Sequence, residues 1–215
     1  MNKIWAIVLC LILALAAVSC DRENNITNPE EAQTAGAEDQ TLADYQKAYL
    51  AFLEDKKESH LLFGLAYVDD DNIPELYLSG MTEAGGDMVC AFKNGVVVCQ
   101  RLNRIGGGKY IERNGDIINQ NGHMGFYYEN VYHLSENGFS QTLNASYTEE
   151  FKNPGNGEYE PEREYFIDDA PVSEADYNKA VSAAFDLSNA VSFYENAVSY
   201  DAIVRQLQEG SAAKY

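Results

Sequence analysis

Two apolar runs separated by an acidic turn organise the chain. Leu62 to Val68 carries apolar side chains on both faces of the pleat and predicts a strand covered on both sides. Beyond the turn the pattern alternates. Leu76 and Leu78 point one way and Glu75, Tyr77 and Ser79 the other, which predicts a half-buried strand. Upstream, Leu42, Tyr45, Tyr49, Phe52 and Leu53 recur at helical spacing. With Thr41-Leu42-Ala43-Asp44 as a capping box they predict a helix from Thr41 to about Lys57, packed over the Leu62–Val68 strand.

From Asp87 onward the pattern is one of hairpins. Asn94-Gly95 is a strong two-residue turn signal, and it sets a register that pairs Lys93 with Val96, Phe92 with Val97, Ala91 with Val98 and Cys90 with Cys99. Cys90 and Cys99 fall at a non-hydrogen-bonded position, where Cα atoms approach to roughly 4.5 Å, within reach of a disulfide. Gly106-Gly107-Gly108 reads as a flexible connection, since no Lys-Ser/Thr and helix follow it as in a phosphate loop. Asn114-Gly115 predicts a second hairpin, pairing Arg113 with Asp116 and Ile111 with Ile118. His123 to Leu134 reads as one long strand with Met124, Phe126, Tyr128, Tyr132 and Leu134 on its apolar face and His123, Tyr127, Glu129 and His133 on the other. Phe139, Leu143, Ala145 and Tyr147 continue the alternation, and Glu164 to Asp168 reads as a later strand.

Two helices close the pattern. Ser173 caps one, with Asp176 completing the box and Val172 stapled to Tyr177; the other runs from Tyr200 to Glu209 and stops at Gly210. The fold class that follows is α+β: an antiparallel meander of about seven to nine strands, with an N-terminal helix and one or two C-terminal helices packed on it. Residues 41–215 are expected to form this single domain.

The first forty residues read differently. Residues 1–19 have a basic start, an apolar core and small residues, the layout of an export signal. Ala17-Val18-Ser19-Cys20 resembles a bacterial lipobox, which implies that Cys20 is lipidated; a plain secretory signal is the alternative. Residues 20–40 have almost no apolar bulk and predict a disordered tether spanning roughly 25 Å. The expected location is the extracytoplasmic face of the cell membrane, held by the N-terminal lipid. A formal charge of −19 excludes nucleic-acid binding through a basic patch.

The acidic turn holds the candidate cation chemistry. Asp69-Asp70-Asp71-Asn72-Ile73-Pro74-Glu75-Leu76 resembles the calcium loops of FG-GAP, VCBS and dockerin-type repeats. The resemblance implies calcium ligands at Asp69, Asp71, the Ile73 carbonyl and Glu75, an oxygen set suited to a hard cation. Tyr67 stands where those loops have their first Asp, and Asn72 where they have glycine. The plainer reading is a solvated acidic turn whose exit Pro74 fixes. The turn and Tyr165-Phe166-Ile167-Asp168-Asp169-Ala170-Pro171-Val172-Ser173 together resemble uncharacterised lipoproteins of anaerobic Firmicutes, a likeness that implies no known activity.

No G-x-S-x-G, H-E-x-x-H, Walker loop or C-x-x-C is present. On a single strand His123 and His133 would stand roughly 33 Å apart, too far to share a metal. The expected function is a membrane-tethered binding or interaction domain, not an enzyme. Its ligand would be an extracellular protein or carbohydrate met by tyrosine-rich strands. The alternative is a carboxylate-dependent hydrolase of glycans or peptides, which would need converging carboxyls with a raised pKa in a pocket. A structural lipoprotein binding only calcium is a third reading.

Overall fold

In the computed structural model, residues 42–103, 105–153 and 158–210 are described. The export signal, Cys20, the tether and Thr41 lie outside the described residues. The first helix, α1 (Asp44–Glu54), starts and ends inside its expected bounds. Its box closes on Gln46 instead of Asp44: the Ala43 N–H donates to Gln46 Oε1 at 2.6 Å, and Gln46 Nε2 donates onward to the Leu207 carbonyl at 2.5 Å.

Four strands, β1 (His60–Ala66), β2 (Glu75–Gly80), β3 (Asp87–Lys93) and β4 (Val96–Leu102), form one antiparallel sheet in chain order. Seven more form a second: β5 (Gly108–Ile111), β6 (Asp116–His123), β7 (Phe126–Ser135), β8 (Gly138–Lys152), β9 (Glu160–Ile167), β10 (Ala170–Val172) and β11 (Ala190–Ser192). They lie in the order β10-β9-β8-β7-β6-β5-β11. Two further helices, α2 (Glu174–Ala184) and α3 (Tyr200–Glu209), complete an α+β architecture. Among the described residues, eleven strands exceed the single meander expected and divide into two sheets. Among the described residues no helix is long and apolar enough to cross a membrane.

Three apolar layers hold this together. Tyr49 and Leu53 of α1 and Ile203 and Leu207 of α3 pack on Phe63, Leu65, Leu76 and Leu78, the outer face of the first sheet. The α1 backbone runs nearest β3 and β4, and α3 shares with it the cover over β1, the strand that α1 was expected to cover. Between the sheets, Val68, Tyr77, Val89 and Leu102 meet Tyr110, Ile117, Tyr132 and Leu134. On the far side, Tyr177, Val181 and Phe185 bury Ile118, Val131 and Ala145. Each fully buried large side chain contributes about 1.5–3 kcal/mol relative to exposure. All six residues of β2 are buried, so the half-buried strand is corrected: its polar-patterned face packs on the second sheet.

The Asn94-Gly95 hairpin has the expected register, Cys90 opposite Cys99, with both turn residues at positive φ (53° and 83°). The Asn114-Gly115 hairpin does not. Tyr110 pairs with Ile117 and Lys109 with Ile118, leaving Glu112 to Gly115 as a longer turn, so Arg113 and Asp116 do not pair. His123–Leu134 is not one strand either. Met124 and Gly125, at φ 52° and 82°, turn the chain from β6 into β7 and place His123 opposite Phe126. The triglycine is closely packed, not loose: at Gly107 a Cβ would collide with the Gln120 carbonyl, and at Gly108 with Leu102.

Candidate functional site

The acidic turn joins β1 to β2 at one end of the sandwich. Its first residues cap themselves: the Asp71 N–H reaches Asp69 Oδ1 at 3.3 Å and the Ile73 N–H reaches Asp71 Oδ1 at 2.7 Å. Glu75 opens β2 with its side chain turned inward, and its Oε2 accepts the Val68 N–H at 2.8 Å. Its Oε1 is buried with no hydrogen-bond partner, and the residue is only 1% exposed. Asp69, Asp71 and Glu75 each bring one carboxylate oxygen within 4.8 Å of the others, so three of the four expected ligand residues converge. What the structure records for Ile73 is its N–H bond to Asp71.

A cation is already built into the cluster. Lys93, the last residue of β3, sends Nζ to Asp71 Oδ2 at 2.7 Å and to Asp69 Oδ2 at still shorter range. Burial works to lower the Lys93 pKa, but the hydrogen bonds and charges of Asp69 and Asp71 outweigh it and raise it. Glu75 is pushed up to about 8, chiefly by burial; the Val68 N–H and Lys93 oppose the rise and the charges of Asp69 and Asp71 add to it. Lys93 is the functional residue that the sequence reading passed over. Its signal was present: the hairpin register places it on the same face as Val89 and Ala91, and a charge on a buried face needs a partner.

This knot borders an open groove of about 750 Å³, walled by Arg113, Asn114, His133 and Glu136. Arg113 Nη1 donates to the Asp71 carbonyl at 3.3 Å. His133 Nδ1 lies 2.7 Å from Asp116 Oδ1, the partner that replaces the expected Arg113–Asp116 pair. His123 sits at the opposite end of the β6–β7 hairpin, in a groove of about 480 Å³ with Glu83, Arg101 and Tyr128. The two histidines therefore line separate grooves.

No family model, curated protein or solved structure matches this chain. Cys90 and Cys99 are disulfide-bonded across the β3–β4 hairpin with Cα atoms 4.0 Å apart, and they hold Lys93 three residues from a fixed point. Cys90 is buried and Cys99 exposed.

A second surface lies at the far end of the seven-stranded sheet. Tyr127 of β7 stacks on Tyr147 of β8 at 4.6 Å, its ring covering Gly122 of β6 where a Cβ would not fit. The Arg163 guanidinium lies 5.8 Å from the Tyr147 ring centre and pairs with Glu149 at 2.7 Å. This tyrosine array stiffens the root of a ribbon in which β8 and β9 run past the start of β7, paired from Thr148–Glu164 out to Lys152–Glu160. Eight large hydrophobic side chains are exposed among the described residues, and four lie along this ribbon and its adjoining turn: Met124 at 88%, Phe126 at 65%, Phe151 at 62% and Tyr159 at 68%, with Phe126 on one face and Phe151 on the other.

Proposed function

We propose that the chain is an exported, lipid-tethered domain on the extracytoplasmic face of the membrane that works by binding, with the β8–β9 ribbon as its contact surface. The observation that carries this reading is the exposure of Met124, Phe126, Phe151 and Tyr159 along one end of one sheet, with Phe126 on one face of the ribbon and Phe151 on the other. Single exposed hydrophobics are ordinary; a group of them on a braced ribbon is a contact surface. For the hydrolase alternative, no carboxyl with a raised pKa among the described residues is open to a substrate. Glu75 and Asp87, the carboxyls whose pKa burial raises, are each only 1% exposed, and Asp69 and Asp71 are clamped by Lys93. A photo-crosslinking side chain placed at Phe151 in living cells should trap a partner, and one at Leu187 should not. Equal yields from both positions, or none from Phe151, would refute the reading.

A second reading concerns calcium, and the orphaned Glu75 Oε1 favours it. A divalent ion beside Asp69, Asp71 and Glu75 would balance the buried carboxylates, but it must compete with the tethered ammonium of Lys93, which makes the binding weak. Millimolar calcium should raise the Tm by several degrees over chelator in the native chain and not in Asp71→Ala. The same shift in both, or none in either, would remove calcium.

A further inference from the structure

The charge around Phe126 decides what its face of the ribbon meets; Phe151 lies on the opposite face. β8 and β9 alternate across the ribbon, so Phe126, Thr148 and Glu164 share one face, followed outward by Glu150 opposite Glu162 and Lys152 opposite Glu160. Glutamates placed directly across from each other repel. Lys152 pairs with Glu162, leaving the face with an excess of carboxylates beside an exposed phenylalanine. A cavity of about 90 Å³ opens among Thr148, Glu150, Lys152, Glu162 and Glu164.

We propose that this face docks a basic, extended segment of a partner polypeptide, in which arginine side chains alternate with apolar ones. The inference rests on the binding reading above and adds the partner's chemistry. A guanidinium carries five donors in a plane, so it can bond separated carboxylates while lying against the Phe126 ring. A metal ion suits the face poorly: among the described residues only Asp69, Asp71 and Glu75 converge tightly enough to hold one. A second copy of the chain, at −19, would meet like charge with like, and an anionic lipid surface would be repelled in the same way. The partner enters by its side chains and not as an added strand, because Pro161 and the row of glutamates protect the outer edge of β9.

The test titrates the native chain with a short peptide of alternating arginine and leucine at about 0.15 M salt, with alternating glutamate and leucine as the control. Binding to the first peptide alone is expected. The triple variant Glu150→Gln, Glu162→Gln, Glu164→Gln should weaken it roughly tenfold. Phe126→Ser should weaken it as well. Glu54→Gln, Asp55→Asn, Glu58→Gln removes the same charge from the exposed end of α1 and should leave binding within about twofold. Equal losses in the two triple variants, or no binding of the arginine peptide, would overturn the proposal. A crosslink from Phe151 together with no binding of this peptide would overturn the partner's chemistry and leave the binding reading standing.

Discussion

Arg113 holds its guanidinium 4.6 Å from the ring centre of Tyr67 and donates its backbone N–H to the Tyr67 carbonyl at 3.0 Å. The Gly115 N–H meets the Val68 carbonyl at 2.8 Å beside it, so the β5–β6 turn of one sheet is fastened to the β1–β2 turn of the other. Tyr67 occupies the place where the resembled calcium loops have their first aspartate. Here that position serves the junction of the sheets. Arg113→Ala should cost about 1 kcal/mol, the scale of an exposed cation–π contact. Chemical denaturation reads it directly; an unchanged midpoint would show that the guanidinium is not tied down.

Lys93 should matter more. It neutralises two carboxylates at a site where Asp69 and Lys93 itself are each only 8% exposed. Removing one partner of a buried pair leaves the other charge uncompensated, so Lys93→Met should destabilise by about 3 kcal/mol. The same variant vacates the cluster for calcium, and millimolar calcium should recover part of the loss. A Lys93→Met protein as stable as the native one would mean that the ion pairs contribute nothing.

Glu75 gives the pH dependence a definite sign. Its folded pKa of about 8 lies above the ordinary carboxylate value, so the folded state keeps a proton that the unfolded state has released. Stability is then lost as pH rises between the unfolded value and about 8, and the loss levels off above that. In Glu75→Gln this decline should flatten, by an amount on the order of a few kcal/mol over the whole window. Denaturation midpoints of the two proteins from pH 5 to pH 9 make the comparison. Parallel curves would contradict the assignment.

The disulfide closes a short loop and should contribute about 2–3 kcal/mol. Thiol labelling of the folded oxidised protein should find neither Cys90 nor Cys99 free, and reduction should lower the Tm. Two labelled thiols before any reductant is added would refute the bond.

Local signals carried well from sequence to structure. The Asn94-Gly95 turn fixed the register of Cys90 and Cys99, the Ser173 cap started α2 at Glu174, and Gly210 at φ 67° ended α3. Long-range partners did not carry. Nothing in its alternating pattern says that the Tyr77 face of β2 will meet a second sheet. Phe193 sits in a short 3-10 turn between Tyr77 and Tyr110, at 5.1 and 4.7 Å, where no periodicity marks it as core. Met124 hid the β6–β7 turn because a methionine at positive φ is not a turn signal. Of the site, the converging carboxylates were legible as adjacent residues, whereas Lys93 and Arg113 arrive from elsewhere in the fold.

Cysteine footprinting on intact cells tests the central claim most directly. Phe151→Cys and Leu187→Cys are each exposed to a membrane-impermeant maleimide, on cells and in the purified protein. The account predicts that Leu187→Cys reacts in both settings, whereas Phe151→Cys reacts in the purified protein and is shielded on cells by a bound partner. Equal labelling of Phe151→Cys in the two settings would contradict the contact surface, and an unlabelled Leu187→Cys on intact cells would contradict the extracytoplasmic location.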